Sequence, residues 1–420
     1  MLRFKDEKNL FTVQNIKYVF MKIRLMVSMK IKRLVAFMLI SLFLFHLPAS
    51  PITAQGNIAH SNYVNTVEWN HAGDTLASGS TDRSIILWDD SGVATQVKSS
   101  VQGPNGSVLD LSWSQDDQWI VSGDASQNTL LWNTSEDALL PRGYYDSHSG
   151  YVKSVDTNPA IKTGLPQIVT GGDGKRVIEF TIKNGSEYDT SRQIVGFKGT
   201  IMGVKYSADG NYVGTATLNN KIELHNMTDG VLPNNTLVAS VDVGEPIYGM
   251  DMNAAGDTFV VITKAHVYTY TLGNFGSSMT QVGTALNVEC ENCLNLGIDI
   301  SPDESKIAIG SGKLVQAYTW SNDTGIGQKL FEKDAVADLG LEAGTPAAQV
   351  VDVSWNPDNN QLAFAAGAGV YNYDTSQGSQ IFARVGSLPG TTNVVLIALI
   401  VFVLAVVAIF IIRRQLKKRS

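Results

Sequence analysis

Six acidic residues are spaced so that they could do chemistry together. Glu68, Asp110, Asp156, Asp251, Asp299 and Asp352 each stand at the third or fifth place of a short segment that alternates apolar and polar residues, and one further segment carries Lys205 at its fifth place. If the segments lie side by side, these side chains converge on one axis. Crowded carboxylates raise one another's proton affinity or demand a counter-cation. The chemistry open to them is capture of a cation or a basic peptide, or acid–base work by a carboxylate pair. The alternative is structural: the third and fifth places face a neighbouring segment, and the acids pair with Ser, Thr or Lys205.

The other reactive residue types point to less. The histidines beyond residue 54 (His60, His71, His148, His225 and His266) are too scattered for metal-ligand spacing. Cys290 and Cys293 form a single C-x-x-C outside any thioredoxin-like context. A small-loop disulfide is the expectation there, ahead of a redox pair or half of a metal site shared between molecules. The glycine-containing runs Gly171–Lys175 and Gly310–Lys313 lack the spacing and the following Ser/Thr of a phosphate-binding loop, and read as strand turns. No nucleophile elbow and no EF-hand-like calcium loop occurs. The sequence therefore predicts a non-enzymatic chain, with no catalytic residue, cofactor or metal centre.

The elements that position the acids repeat. The segments are VNTVEW from Val64, VLDLSW from Val108, VKSVDT from Val152, IMGVKY from Ile201, IYGMDM from Ile247, NLGIDI from Asn295 and VVDVSW from Val350, at successive spacings of 44, 44, 49, 46, 48 and 55 residues. Each is followed by a turn rich in Asp, Asn, Gly or Pro (NHAGD, SQDDQ, SADGN and SPDES among them), then by further β-like runs such as TLASGS and SIILWD. Four antiparallel strands in about 45 residues, repeated seven times, predict an all-β, seven-bladed β-propeller of four-stranded blades over residues 55–388. Such blades bury their apolar faces against one another and do not stand alone. The run SQIFARV, residues 379–385, is expected to be the outer strand of the last blade.

Charge and hydropathy place this unit. The chain of 420 residues has a formal net charge of -7, an average over three unlike parts. Residues 1–54 hold 9 Lys+Arg against 2 Asp+Glu, residues 55–388 hold 18 against 37, a net of -19, and residues 389–420 hold 5 against none. A middle that acidic repels a phosphate backbone, which excludes nucleic acid as its expected partner. At the N-terminal end, Lys30, Lys32 and Arg33 precede an apolar stretch, Leu34 to Leu47, followed by Pro48, Pro51 and Ala54. This reads as a secretory signal peptide, residues 1–54, within which Met21 or Met29 would be a more conventional start. At the other end a Pro/Gly hinge, residues 389–393, leads into an uncharged apolar run from Val394 to Ile412. At a rise of about 1.5 Å per residue that run is long enough for a transmembrane helix. The basic tail, residues 413–420, should then remain cytoplasmic. The expectation is a single-pass membrane protein with its propeller outside the cytoplasm, meeting protein partners in the envelope or extracellular space.

Within the first repeat, His60, Ser78, Asp82, Trp88 and Asp89 resemble the signature of WD-repeat proteins. In that family a His, a Ser/Thr, an Asp and a Trp form a buried hydrogen-bonded tetrad. The resemblance extends over residues 58–386 and weakens along the chain. The second repeat has Ser122 and Trp132, with Ser126 in place of the Asp; the third has His148 and Asp173, with Phe180 in place of the Trp. Leu224, Tyr270, Trp320 and Tyr373 fall at comparable late-strand places in the remaining four. The resemblance implies a propeller that serves as a protein-binding scaffold, with His60 and His148 in structural roles.

Overall fold

Alternating segments with β-branched and aromatic residues on one face fold as strands, and the Asn-, Asp- and Gly-rich runs between them turn the chain back. A computed structural model describes most of residues 60–380. Outside it lie residues 1–59 and 381–420 and the internal stretches 90–93, 99–104, 135–140, 147, 184–187, 229–236, 274–277, 289–295, 336, 338–348, 359, 368 and 376–378. The expected signal peptide, hinge, apolar span and basic tail, and both cysteines, fall in those residues. Among the described residues no helix is long and apolar enough to cross a membrane.

The strands group as seven antiparallel sheets of four, each made of consecutive strands. Blade one is β1 (Val64–Trp69), β2 (Thr75–Ser80), β3 (Ile85–Asp89) and β4 (Ala94–Lys98). Blade two is β5 (Val108–Trp113), β6 (Trp119–Asp124), β7 (Asn128–Asn133) and β8 (Pro141–Asp146). Blade three is β9 (Val152–Thr157), β10 (Gln167–Gly172), β11 (Arg176–Ile182) and β12 (Tyr188–Val195). Blade four is β13 (Ile201–Tyr206), β14 (Tyr212–Thr217), β15 (Lys221–Asn226) and β16 (Leu237–Asp242). Blade five is β17 (Ile247–Met252), β18 (Thr258–Thr263), β19 (His266–Leu272) and β20 (Met279–Asn287). Blade six is β21 (Gly297–Ile300), β22 (Lys306–Ser311), β23 (Leu314–Ser321) and β24 (Gly325–Asp334). Blade seven is β25 (Val350–Trp355), β26 (Gln361–Ala366), β27 (Gly369–Asp374) and β28 (Ser379–Gln380).

The first strand of each blade is innermost and packs against the first strands of its neighbours. No blade has a private core. The buried apolar residues form clusters that each span two adjacent blades, as in Ala77, Leu87, Val108, Trp113 and Trp132 between blades one and two. Glycine on the second strand makes room for this: a Cβ on Gly79 would meet Val108 Cγ1 at 2.4 Å, and one on Gly123 would meet Val152 Cγ1 at 2.7 Å. The first apolar residue of each inner strand thus nests over the preceding blade, and burying each such side chain contributes about 1.5–3 kcal/mol.

Among the described residues, the ring closes by packing of blade one against blade seven. Val64, Trp69 and Trp88 of blade one share a cluster with Ala363, Ala365 and Val370 of blade seven. The Val64 amide donates to the Gly367 carbonyl at 2.8 Å, and Asn356 Nδ2 donates to the Gly73 carbonyl at 2.8 Å. The last blade's outer strand does begin at Ser379, pairing with Asp374.

The turns after the inner strands are tied in the same way. Each begins with Asn or Ser (Asn70, Ser114, Asn158, Ser207, Asn253, Ser301, Asn356), whose side chain bonds within its own turn. Two of these turns place a non-glycine residue in the left-handed region, Asp117 at φ 57 and Glu304 at φ 53. That conformation costs about 1–2 kcal/mol. Both carboxylates offset it by holding the preceding blade: Asp117 accepts from the His71 and Ala72 amides at 2.9 Å each, and Glu304 accepts from the Ala254 amide at 2.8 Å.

Candidate functional site

The inner strands surround a central cavity of about 300 Å³ lined by residues of all seven blades. Glu68, Asp110, Lys205, Asp251, Asp299 and Asp352 are among its lining; Asp156 is buried beside it on β9. Five of the six acids thus reach the central cavity, as their spacing predicts. The five aspartates turn sideways and accept a backbone N–H from the inner strand of the next blade. Asp110 Oδ2 accepts from Val155 at 2.8 Å, Asp156 Oδ2 from Tyr206 at 2.7 Å, and Asp251 Oδ2 from Ile300 at 2.8 Å. Asp299 Oδ2 accepts from Trp355 at 2.6 Å, and Asp352 Oδ2 from Val67 at 2.9 Å across the ring closure.

One register rule covers them: a side chain at place n of an inner segment takes the amide at place n+1 of the next. Serines obey it too, Ser154 accepting from Val204 at 3.1 Å and Ser354 from Trp69 at 3.2 Å. These are side-chain-to-backbone ties between blades, and each satisfies an inner-strand N–H. The expected side-chain partners are secondary. Thr66 and Ser112 donate to Asp110 and Asp156 at 3.5 and 3.2 Å, and no carboxylate lies within 4.0 Å of Lys205 Nζ among the described residues. Among the described residues, no three His, Cys, Asp or Glu side chains are grouped so as to hold a metal ion.

Glu68 is the exception. It has one methylene more than the aspartates, and the place n+1 amide it would take belongs to Trp113. Instead the Trp113 indole N–H donates to the Glu68 main-chain carbonyl at 3.1 Å, and Glu68 Oε2 is buried with no hydrogen-bond partner. Burial raises the carboxyls: Asp110 to about 6, Asp352 to about 7, Asp156 in the same direction, and Glu68 and Asp299 well above the usual carboxylate range. Burial opposes the charge of Lys205, but Asp156, Asp251, Glu68 and Asp110 outweigh it and hold the ammonium well above the ordinary lysine value.

The first blade gathers His60, Ser78, Asp82 and Trp88 into one buried chain. The Trp88 indole N–H donates to Ser78 Oγ at 2.8 Å, and Ser78 Oγ meets His60 Nε2 at 2.8 Å. His60 Nδ1 lies 3.3 Å from Asp82 and 2.9 Å from Ser84 Oγ. Although burial works against its charge, hydrogen bonds from His60, Ser84 and the Ser61 amide hold the Asp82 carboxyl well below the usual range. Blade two retains the indole bond alone, Trp132 Nε1 to Ser122 Oγ at 2.8 Å, and Asp124 holds its turn by accepting from the Ser126 and Asn128 amides.

Blade three keeps His148 Nε2 on Thr170 Oγ1 at 2.7 Å, but Asp173 accepts from Thr200 Oγ1 instead, and His148 Nδ1 is buried without a partner. Strand register corrects two of the late-strand positions. The residue facing Val213, as Trp88 faces Leu76, is His225 and not Leu224; the one facing Ile307 is Tyr318 and not Trp320. Trp320 sends its indole N–H across to Thr269 Oγ1 of blade five at 3.1 Å.

All inner strands run in the same direction, so the residues just before and at their starts share one face, here the upper face. Tyr63 and Tyr151, immediately before β1 and β9, are 41% and 47% exposed. The second residues of the inner segments, Leu109, Met202, Tyr248 and Val351 among them, line the cavity at its upper mouth. Lys153 Nζ sits over the Tyr151 ring at 5.3 Å and Lys264 Nζ over Tyr248 at 5.0 Å. This apolar rim was not singled out from the sequence, although its residues are those flanking the start of each repeat.

The fold is a seven-bladed β-propeller, and the repeats that build its first two blades are WD40 repeats. Residues 54–89 and 95–133 match the family described as WD domain, G-beta repeat, a span that reaches from the start of blade one to the third strand of blade two. Three curated relatives match parts of the chain. The rice (Oryza sativa subsp. japonica) chromatin assembly factor 1 subunit FAS2 homolog is 30% identical over 24% of this chain and 20% of its own length. The Dictyostelium discoideum U5 small nuclear ribonucleoprotein 40 kDa protein is 30% identical over 28% and 32%. Actin-interacting protein 1 of Drosophila melanogaster is 25% identical over 44% and 29%. The chain thus spans between 20% and 32% of the length of these relatives. Among solved structures, the β-propeller domain of Myceliophteria thermophila Cps50 (Swd1) superposes with a TM-score of 0.57 at 12% identity, covering 73% of this chain and 96% of that one, a likeness of fold.

Proposed function

We propose that this chain is a non-enzymatic protein-binding platform whose recognition surface is the upper rim of the propeller. The observation that carries the reading is the exposure of Tyr63 and Tyr151 beside Met202, Tyr248, Leu109 and Val351 around the channel mouth. Tyrosine and methionine on a rigid frame are what protein interfaces are rich in, because they add contact area at small entropic cost. The ties between blades supply the rigidity, and they occupy five of the six carboxylates that would otherwise be the candidates for catalysis or for holding a cation. Relatives named for a chromatin assembly factor, a ribonucleoprotein particle and an actin interaction are in keeping with a platform role.

The setting we propose comes from the sequence ends. A signal peptide over 1–54 and a membrane span over 394–412 would display the propeller outside the cytoplasm, with partners among envelope or extracellular proteins. The test is site-specific photocrosslinking in intact cells, with the reactive residue placed at Tyr151 on the upper rim or at Asp358 on the opposite face. Recurrent capture of one or two proteins from Tyr151 alone, abolished by Tyr63→Ala, is the expected result. Equal capture from both positions, or none above background, would remove the rim as the recognition surface.

A further inference from the structure

The junction between blades seven and one is the one place where the ring is closed between the first and last blades of the chain. It is also where a buried carboxyl oxygen of the channel lacks a hydrogen-bond donor. Glu68 on β1 has a buried carboxyl oxygen without a donor, and Asp352 on β25 holds the Val67 amide one residue away from it. The other charged groups facing them from the inner strands are Asp110 on β5, Lys153 and Asp156 on β9, Lys205 on β13, Asp251 on β17 and Asp299 on β21, with His71 at the lower mouth. The second strands packed behind bring titratable side chains only at their ends, in Asp124, Tyr212 and Lys306. Lys153 is drawn aside over Tyr151, and Lys205 is three blades away from Glu68 with no carboxylate in contact. Lys205 acts on Glu68 only through space, and its charge does not offset the burial of that carboxyl.

We propose that the seam is a proton-dependent latch: at neutral pH Glu68 and Asp352 retain protons, and their loss at alkaline pH loosens blade seven from blade one. A buried oxygen with neither cation nor donor tolerates a neutral carboxyl far better than a carboxylate. A protonated Asp352 still accepts the Val67 amide through its other oxygen, so the tie survives loading. Burial pushes Asp352 up to about 7 and Glu68 well above its ordinary value, in keeping with the geometry. Because the folded-state proton affinity exceeds that of the unfolded chain, the stabilisation is complete at low pH and is lost as pH rises through the folded-state values. The latch concerns ring closure and does not depend on what the upper rim binds.

The experiment is thermal melting of the full chain from pH 6.5 to 9, followed by tryptophan fluorescence, for wild type and for the double variant Glu68→Gln with Asp352→Asn. Both replacements are neutral at every pH, and the Asn oxygen can still accept the Val67 amide. Wild type should lose about 2 °C of Tm for each carboxyl that gives up its proton. The double variant should match wild type at pH 6.5 and lose most of that slope. A wild-type Tm that is flat or rises across the window, or a decline the variant keeps, overturns the latch. Should the variant not fold, infrared spectroscopy of wild type decides: a protonated-carboxyl band present at pH 6.5 and gone at pH 9 supports it, and no such band at pH 6.5 refutes it. His148 acts below this window and in the opposite sense, so it does not confuse the reading.

Discussion

Ser78 is the pivot of the blade-one tetrad, and Ser78→Ala measures how much that chain contributes. Ser78 Oγ is fully buried and serves two groups, the Trp88 indole N–H and His60 Nε2, each at 2.8 Å. Removing it leaves both nitrogens buried and unpaired, and an unsatisfied buried group costs about 1–3 kcal/mol. The loss should therefore be about 2–5 kcal/mol, a large share of the roughly 5–15 kcal/mol that stabilises a folded domain. Ser122→Ala is the internal control. There Ser122 Oγ accepts only the Trp132 indole, so about 1–3 kcal/mol is expected. Urea denaturation of the full chain, read by tryptophan fluorescence, gives both values. If the two variants lose equal stability, or Ser78→Ala loses under about 1 kcal/mol, the tetrad is geometry without energetic weight and the reasoning fails.

Two further outcomes follow from the same contacts. Asp156→Ala strands the Tyr206 amide and should lower stability by about 1–3 kcal/mol, whereas Asp156→Asn keeps an acceptor for it and should recover most of that loss; equal loss in both would show that the Tyr206 amide is not what Asp156 serves. His148 is buried and its pKa is depressed to about 4 by burial and then by Arg176, so the unfolded chain takes up a proton there before the folded one does. Stability should fall by about 3 kcal/mol as pH drops from 6.5 to 4 through this group, and His148→Gln should flatten that limb of a pH–stability profile.

Much of the fold was legible because one pattern is written seven times. The inner segments begin where the sequence places them, at Val64, Val108, Val152, Ile201, Ile247 and Val350; only in blade six does β21 start later, at Gly297 rather than Asn295. The tetrad of blade one could be read because its residue types are distinctive. Its degenerate copies could not, since a shift of one or two residues in register moves the position facing the second strand from Leu224 to His225 and from Trp320 to Tyr318. Asp173 was legible as a residue type but not as a partner, because whether it reaches His148 or Thr200 depends on the bulge at the end of β10.

The acids teach a different lesson. Their third and fifth places put them on inner strands, as the spacing says, but spacing carries no information on side-chain direction. A carboxylate beside an unpaired edge amide turns to it, since a buried N–H without a partner is as costly as a buried charge is awkward. The longer Glu68 cannot make the same turn, which one methylene in the sequence could have signalled.

That the inner-strand acids are ties between blades, leaving the upper rim for recognition, is tested most directly by amide hydrogen exchange on Asp299→Ala. Asp299 lies on β21 in blade six, and its carboxylate holds the Trp355 amide of blade seven at 2.6 Å. The account predicts a loss of protection at Trp355 and its neighbours on β25, in the next blade, with blades two to four unchanged. Loss confined to β21 itself, or no change at Trp355, would contradict it.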